Sequence, residues 1–509
     1  MTVISNVQPR ENVAGQGALR FVLGIILSAF SGVMLLLSFP PYGLWPLAWV
    51  ALVPALFAQY RLLPLKWSRL AGALYILFWL GPYLARNFGT QFGPFFTYLG
   101  VFIAVLSFFL TTERKFHETT GFRWFVLFGM FNWVGFEMIR ATFIPLIATS
   151  AFIGYTQATQ AWVFQPVAIF SVYGFDLVLI LVNFALAQGL LAWYDKKTQP
   201  AVTRVDGRMS QRWLAGAGVV LAAWIGLSLV MLNSAPKDAP TVRVAALRSG
   251  FPHAPFQDEA NDDQVRFDRF ASQAREAAAQ GAQVLFTSEL MFNFDPQQKY
   301  TEEFKAIARE TNTYIFLGYA IFEQETETFH NEVVMLSPSG EFSAVYAKNH
   351  PTPGEPLSPT AGVYPVYDTP WGRMASSICH DNNYTNVDRQ LAANGAQLIG
   401  AAFLEFAGGG EQAWQNVTFR AVENHTAIVA TGAAFFSVIV DGNGRQIALN
   451  TDYEGSPLVM VADVPMGAGA TPYTSTGDLM GWVALAGFTF SIVFMSVVMK
   501  GKSKNLVHG

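Results

Sequence analysis

Residues 21–39 read FVLGIILSAFSGVMLLLSF and contain no charged side chain. A helix needs about 17 to 25 apolar residues to cross the hydrocarbon core of a bilayer, so this run is long enough to span a membrane. It is too long for the apolar core of a signal peptide, and residues 39–42, FPPY, stand where a small-residue cleavage site would be needed. We therefore expect the run to remain in the mature protein as a transmembrane helix.

Similar apolar runs recur along the chain and predict eight transmembrane helices. They lie at residues 21–39, 44–60, 70–85, 96–111, 124–139, 167–193, 213–232 and 479–499. The composition agrees, because 52% of the residues are hydrophobic and only 13% are charged, whereas a soluble domain carries about 25% charged residues. The sequence thus predicts a polytopic α-helical membrane bundle.

Lysine and arginine are concentrated in alternate loops. The terminal segments and the loops after the second, fourth and sixth runs contain Arg10, Arg20, Arg61, Lys66, Arg69, Arg114, Lys115, Arg123, Lys196, Lys197, Arg204, Arg208, Arg212, Lys500, Lys502 and Lys504. The loops after the first, third and fifth runs contain only Arg86 and Arg140. By the positive-inside rule, both termini are predicted to be cytoplasmic, and the segment after the seventh run is predicted to lie outside.

Residues 234–478 differ from the rest of the chain, because they are acidic and alternate strand-like with helical patterns. The predicted strands are 241–247, 283–287, 314–322, 374–379, 397–402 and 427–431, the helices are 263–280, 301–311, 386–394 and 411–423, and the hairpins join 333–336 to 342–347 and 436–440 to 445–449. This alternation is typical of layered α/β domains. We predict a membrane domain at 1–233, an α/β catalytic domain at 234–478, and a final helix with a cytoplasmic tail at 479–509.

Several classes of function have no support in the sequence. The formal net charge of −4 argues against a nucleic-acid partner. The single cysteine, Cys379, excludes an intramolecular disulfide and a cysteine-rich metal site. The histidines show no metal-ligand spacing, and neither a Gly-x-Ser-x-Gly elbow nor a phosphate-binding Gly-Lys-Ser/Thr loop occurs.

Three reactive side chains stand at the ends of predicted strands. Cys379 ends one strand, Glu289 follows another, and Lys348 ends the second strand of a hairpin. Taken singly, a lone cysteine is usually a small buried hydrophobe and a charged strand end is usually solvated. Together they supply a thiol nucleophile, a carboxylate base and a cation for an oxyanion, a sufficient set for acyl transfer. A Cys379–His380 dyad is rejected, because neighbouring residues at a strand end point in opposite directions.

The order of these residues resembles that of a known family. Glu289, then a lysine in Tyr346-Ala347-Lys348, then Cys379 is similar to the nitrilase superfamily, which implies an αββα sandwich. The whole chain resembles the apolipoprotein N-acyltransferase family. The motifs that carry this resemblance are LSFPPYGLWPLAW at 37–49, FEMIR at 136–140, GYTQ at 154–157, VYG at 172–174, PGE at 353–355 and RAVEN at 420–424.

The resemblance implies a reaction in two half-reactions in a bacterial inner membrane, with a periplasmic catalytic domain. Glu289 would deprotonate Cys379, a phospholipid would donate an acyl chain as a thioester, and the N-terminal amine of a diacylated lipoprotein would accept it. Lys348 would stabilise the oxyanion, and Glu355, His380 and Phe406 are the expected supporting or substrate-binding residues. The resemblance requires no metal or organic cofactor, and we expect a monomer.

Three motifs depart from the family pattern. Thr287-Ser288-Glu289 replaces Trp-Pro-Glu, Cys379-His380-Asp381 replaces Cys-Tyr-Glu, and residues 403–408, FLEFAG, replace Asn-Asp-Ala-Trp-Phe-Gly. They leave three alternatives open: a membrane-bound amidase or other hydrolase of the nitrilase type, a paralogous acyltransferase with another amine acceptor, and a non-catalytic scaffold. The intact Glu289, Lys348 and Cys379 weigh against the scaffold.

Charged residues also occur inside the predicted membrane runs. Glu137 and Arg140 lie three residues apart on one helix face, which favours a structural ion pair. Asp176, inside the sixth run, is costly in a membrane unless it faces a cavity or a partner. The sequence names no partner for it.

Overall fold

The computed structural model describes residues 11–88, 95–144, 148–198, 204–234, 238–250, 262–323, 328–352, 354–404, 409–433, 436–452 and 456–507. Before residue 234 the α-helices are α1 (Glu11–Ser38), α2 (Val53–Phe57), α3 (Arg69–Phe88), α4 (Phe95–Thr120), α5 (Phe125–Phe143), α6 (Ala161–Phe164), α7 (Val167–Thr198) and α8 (Gly207–Asn233). Those that follow are α9 (Asp263–Ala279), α10 (Thr301–Thr311), α11 (Asn386–Ala393), α12 (Gly409–Asn424), α13 (Pro472–Thr476) and α14 (Leu479–Val507).

Four helices in the described part of the chain are long and apolar enough to cross a membrane. They are Gly17–Ser38, Val167–Thr198, Gly207–Asn233 and Leu479–Lys500, which makes this a membrane protein. The predicted count of eight spans stays a prediction.

The second predicted span, 44–60, is wrong as a single helix. The structure breaks it into a 3-10 turn (Trp45–Trp49), α2, and a π turn that begins at Ala58. Pro46 and Pro54 each stand at the start of a short helix, where the missing N–H of proline is tolerated. The same prolines cannot donate within a continuous helix, which explains the interruption.

The described residues between 241 and 465 form two six-stranded sheets. Their strands are β1 (Thr241–Arg248), β2 (Val284–Thr287), β3 (Tyr314–Glu323), β4 (Thr328–Leu336), β5 (Tyr346–Ala347), β6 (Tyr367–Thr369), β7 (Gly372–Ile378), β8 (Leu398–Phe403), β9 (Ala427–Gly432), β10 (Ser437–Val440), β11 (Gln446–Asn450) and β12 (Leu458–Pro465). One sheet has the order β12-β1-β2-β3-β4-β5, and the other has the order β11-β10-β9-β8-β7-β6. The predicted α/β architecture with two sheets is confirmed, whereas β6 and β12 were not predicted.

The two sheets pack face to face, with helices on their outer faces. Phe286 of β2 stacks on Phe316 of β3, with ring centroids 4.7 Å apart, and its ring lies against Gly400 of β8. On the outer face of the first sheet, Phe270 of α9 and Phe304 of α10 belong to a separate apolar cluster. This arrangement is an αββα sandwich.

Helix α12 joins the sandwich to the membrane helices. Its Phe419 stacks on Phe164 of α6 at 4.5 Å and meets the Tyr155 ring edge-on at 5.0 Å. A single cluster of buried apolar side chains runs from the helical bundle into the second sheet. Ile378 at the end of β7 belongs to this cluster, and Asn383 in the following turn accepts a hydrogen bond from Thr149, so the end of β7 lies close to the membrane half of the protein.

Candidate active site

Cys379 stands at the point where β7 ends and a 3-10 turn, Cys379–Asn383, begins. Its φ is 45°, a left-handed conformation that is strained for a residue with a Cβ. The side chain is buried, with 5% of the residue surface exposed. Its Sγ lies 3.8 Å from the backbone oxygen of Leu404, just beyond β8. Strain of this kind persists only where the surrounding contacts hold the turn in place.

Lys348 lies beside two carboxylates. Its Nζ donates to Glu289 Oε1 at 3.0 Å and to Glu355 Oε2 at 2.7 Å. Burial by itself lowers the pKa of the Lys348 ammonium, but the charges of Glu289, Cys379 and Glu355 outweigh burial and raise it. Conversely, burial raises the pKa of Glu355, but the Lys348 charge and its hydrogen bond outweigh burial and lower it. Lys348 and Glu355 therefore both carry their charges at neutral pH.

The two oxygens of Glu289 are held from different sides. Oε1 also accepts from Asn331 Nδ2 at 2.7 Å, and Oε2 accepts from the backbone N–H of Leu404 at 2.7 Å. Because the Leu404 carbonyl faces Cys379 Sγ, this one residue contacts both the thiol and the carboxylate. Asn331 additionally donates to Glu355 Oε1 at 2.8 Å. Sequence reasoning missed Asn331, which sits inside β4 with no motif around it.

Asp381 is the second residue that sequence reasoning missed. Its carboxylate accepts from the Tyr346 hydroxyl at 2.7 Å and from the backbone N–H groups of Ile378 at 3.2 Å, Asn349 at 3.0 Å and His350 at 2.7 Å. Burial raises the pKa of Asp381 to about 7, against the lowering effect of these hydrogen bonds. These contacts tie the turn of Cys379 to β5 and to the residues that follow it, among them Lys348.

The three other predicted site residues are Glu355, His380 and Phe406, and the structure describes the first two. Glu355 lies in the cluster with Lys348, as described above. His380 directs Nδ1 toward the backbone oxygens of His350 and Pro351, each at 3.3 Å. Burial, together with the Lys348 charge, lowers the pKa of His380 to about 4, so the imidazole is neutral at pH 7. Phe406 lies outside the described residues.

The charged residues of the bundle do not form the predicted ion pair. Arg140 donates to the backbone oxygen of Ser150, and its guanidinium lies 4.9 Å from the centre of the Phe152 ring. Glu137 accepts from Trp133 Nε1 at 2.9 Å and faces the carboxyl group of Asp176. Among the described side chains, no nitrogen of Arg140 approaches Glu137 within 4.0 Å.

An apolar cavity lies beside these groups, between α3, α5, α7 and α14. Its walls include Trp79, Trp133, Phe136 and Phe488, and Arg140 lines it as well. The bundle thus contains an apolar space bordered by the arginine that contacts Ser150.

Comparisons with known proteins match both halves of the chain. Residues 31–185 match the family described as apolipoprotein N-acyltransferase N-terminal domain, and residues 243–473 match the family described as carbon-nitrogen hydrolase. The apolipoprotein N-acyltransferase of Geobacter metallireducens is 24% identical, over 91% of this chain and 93% of its own length. That of Chlorobaculum tepidum is 23% identical, over 93% of this chain and 97% of its own. The human omega-amidase NIT2 is 29% identical over 26% of this chain and 55% of its own length.

Proposed function

Because the chain belongs to the apolipoprotein N-acyltransferase family, we propose that it moves a fatty acyl chain from a membrane phospholipid to the N-terminal amine of a diacylglyceryl-modified lipoprotein. The observation that carries the proposal is the extent of the match. The relatives named as N-acyltransferases match over more than nine-tenths of this chain, helices and sandwich together. The omega-amidase matches only about a quarter of it.

The first half-reaction is acylation of Cys379. Glu289 accepts the proton of the thiol, and the thiolate attacks the ester carbonyl carbon of the phospholipid. The tetrahedral intermediate collapses, the ester C–O bond breaks, and the lysophospholipid oxygen takes the proton from Glu289. The hydrogen bonds from Asn331, Lys348 and Leu404 orient the carboxylate for both proton transfers.

The second half-reaction transfers the acyl chain to the amine. The N-terminal amine of the acceptor attacks the thioester carbonyl, and Glu289 takes a proton from the attacking nitrogen. Collapse of the intermediate breaks the C–S bond and forms an amide, and the thiolate is reprotonated by Glu289. A water molecule in place of the amine would give a free fatty acid, so selectivity depends on which nucleophile reaches the thioester.

Lys348 stabilises the negative oxygen in both intermediates. An ammonium has three N–H donors, and two of them are directed to Glu289 and Glu355. The third is directed to the oxyanion. Since the neighbouring carboxylates keep the ammonium charged, the stabilisation persists throughout the neutral range. The residues themselves supply the nucleophile, the base and the oxyanion donor.

The surroundings of the site suit anchored substrates. Both the donor and the acceptor carry acyl chains in the bilayer, and the turn of Cys379 packs close to the membrane half of the chain. The apolar cavity beside Arg140 shows that the bundle has internal apolar space. We place the sandwich, residues 234–478, on the periplasmic face of a bacterial inner membrane, with both termini cytoplasmic and the protein acting as a monomer.

The test is direct observation of the acyl-enzyme. Purified full-length protein is incubated with vesicles of phosphatidylethanolamine and phosphatidylglycerol, and its intact mass is measured. We expect an added mass of one acyl group, removed by hydroxylamine and missing in Cys379→Ala. Glu289→Gln should slow its formation by about 10²- to 10⁴-fold, whereas the surface variant Glu341→Gln should react at the wild-type rate. Absence of the acyl adduct from the wild-type protein would contradict the proposed function.

A second step separates transferase from hydrolase. Addition of a synthetic diacylated lipopeptide should convert the acylated protein to free enzyme and the peptide to its N-acylated form. The match of the sandwich to carbon-nitrogen hydrolases and to an omega-amidase favours hydrolysis as the alternative. Release of free fatty acid with an unmodified peptide would support that alternative.

A further inference from the structure

The turn that carries Cys379 is held at both of its ends. Near its start, Asp381 accepts from the backbone N–H of Ile378, a contact made entirely within the sandwich. At its far end, the backbone oxygen of Asn383 accepts two hydrogen bonds from Thr149, which belongs to the membrane half of the chain. The Thr149 hydroxyl donates at 2.7 Å and the Thr149 N–H donates at 3.2 Å.

The hydroxyl of Thr149 is itself oriented by a neighbour. Tyr155 Oη donates to Thr149 Oγ1 at 2.9 Å, which leaves the threonine hydrogen to point at Asn383. Arg420 of α12 in turn donates to Tyr155 Oη at 3.2 Å. Thr149, Tyr155 and Arg420 are each at most 1% exposed, so water cannot replace these bonds.

The side chain of Asn383 is held as well. Its Oδ1 accepts from Asn416 Nδ2 of α12 at 2.6 Å. The carbonyl and the side chain of Asn383 are therefore held from different elements, one in the membrane half and one in the sandwich. A residue held in this way limits how the five-residue turn can relax, and the left-handed Cys379 lies at the other end of that turn.

We propose that Thr149 is a positioning residue, which acts through Asn383 to keep Cys379 in its strained, reactive conformation. The membrane half then does more than anchor the sandwich, because its residue Thr149 helps to hold the turn of Cys379. The inference rests on the proposed function, because it takes Cys379 as the nucleophile.

The test exploits the single cysteine of the chain. The rate of alkylation by iodoacetamide is measured on full-length protein in detergent micelles, across about pH 6 to 10, which separates thiolate fraction from thiolate reactivity. Thr149→Val keeps the shape of the side chain and removes its hydroxyl. We expect alkylation to be about 3- to 10-fold slower, because this factor corresponds to the loss of one buried hydrogen bond. In the lipid assay, kcat should fall by a similar factor with KM unchanged.

Two matched variants distinguish positioning from general damage. Thr149→Ser retains the hydroxyl and should restore the wild-type rate to within about two-fold. Thr156→Val removes a buried threonine hydroxyl in the same segment that bonds to Ile153, away from Asn383, and should leave the rate unchanged. Wild-type alkylation in Thr149→Val, or an equal loss in Thr156→Val, would overturn the inference.

If Thr149→Val does not fold, Tyr155→Phe serves in its place. It removes the donor to Thr149 and keeps the ring that packs on Phe152 and Phe419. Slower alkylation is expected here too, and an unchanged rate would refute the proposal. Alkylation needs no lipid, so the two proposals can fail separately. If the wild-type protein forms no thioester, the proposed function is rejected, and the effect of Thr149 on alkylation can still be measured.

Discussion

At the scale of single residues, the neighbours of Cys379 decide its chemistry. The thiol belongs to a buried residue with a left-handed φ at the start of a 3-10 turn, and Leu404 connects it to the carboxylate of Glu289. The grouping of Glu289, Lys348 and Cys379 was predicted from their positions at strand ends and from the resemblance to the nitrilase superfamily, and their joint catalytic role stays a prediction. Asn331 and Asp381 could not be predicted, because an amide inside a strand and an acid after a cysteine have no distinctive local pattern.

The lowered pKa of His380 predicts how the stability of the protein depends on pH. Its pKa is about 4 in the folded protein, below the value of about 6.5 in an unfolded chain. Between these values the unfolded state binds a proton that the folded state does not, so stability falls as the pH is lowered from about 6.5 to about 4.

The measurement is thermal unfolding of wild type and His380→Gln in detergent over this pH window. We expect the variant to lose less stability on acidification, by about 3 kcal/mol when the window is crossed completely. Equal acid sensitivity of the two proteins would show that His380 is not the group responsible.

At the scale of elements, the close approach of the two sheets places the strand ends together. Gly400 in β8 lies against the ring of Phe286 in β2, and a Cβ at this position would lie 2.2 Å from a ring carbon. Parallel pairing of β7, β8 and β9 brings the ends of β7 and β8 to one edge, where Cys379 and Leu404 follow them. The separation of the sheets therefore controls the geometry of the site.

Gly400→Ala should destabilise the sandwich for this reason. We expect a loss of about 1 to 3 kcal/mol, the usual cost of overpacking a core, measured by denaturant unfolding. Gly216→Ala in α8 is the control, since a Cβ there meets no atom within 4 Å. The added change Phe286→Leu should recover part of the loss. A fully stable Gly400→Ala protein would contradict this account of the sheet contact.

At the scale of the whole molecule, the membrane helices and the sandwich share one apolar core, although lipid surrounds the first and water the second. The apolar cluster continues from the membrane helices into the second sheet through Phe419 of α12. Arg86 near the end of α3 adds a bidentate ion pair with Glu411 of α12, at 2.7 and 2.8 Å. The small net charge of −4 is the sum of a positive charge on the membrane half and a larger negative charge on the sandwich.

The charge distribution predicts the orientation of the molecule in the membrane. A reporter joined after Gly509 should give the signal of a cytoplasmic location, and a reporter inserted near Asn261 should give the signal of an external location. Paired fusions of alkaline phosphatase and green fluorescent protein measure both positions. The reverse result would remove the sandwich from the face where we place its substrates.

The sequence by itself determined the features that depend on local pattern. Apolar length identified helices such as α1 and α14, and alternation of strands and helices identified a layered α/β domain. Strand ends marked Glu289, Lys348 and Cys379 as candidates, whereas the two-sheet sandwich was implied by the family resemblance. These follow from short-range periodicity and from the solvent that each segment requires.

Only the tertiary structure decided the contacts between distant segments. It broke the apolar run 44–60, where prolines interrupt the helix, and it brought Asn331 and Asp381 into the site. It also joined Thr149 to Asn383, which lies 234 residues away along the chain. Such contacts arise when α12 docks against the bundle, and a hydrogen bond between two polar residues far apart in sequence leaves no periodic signal in either segment.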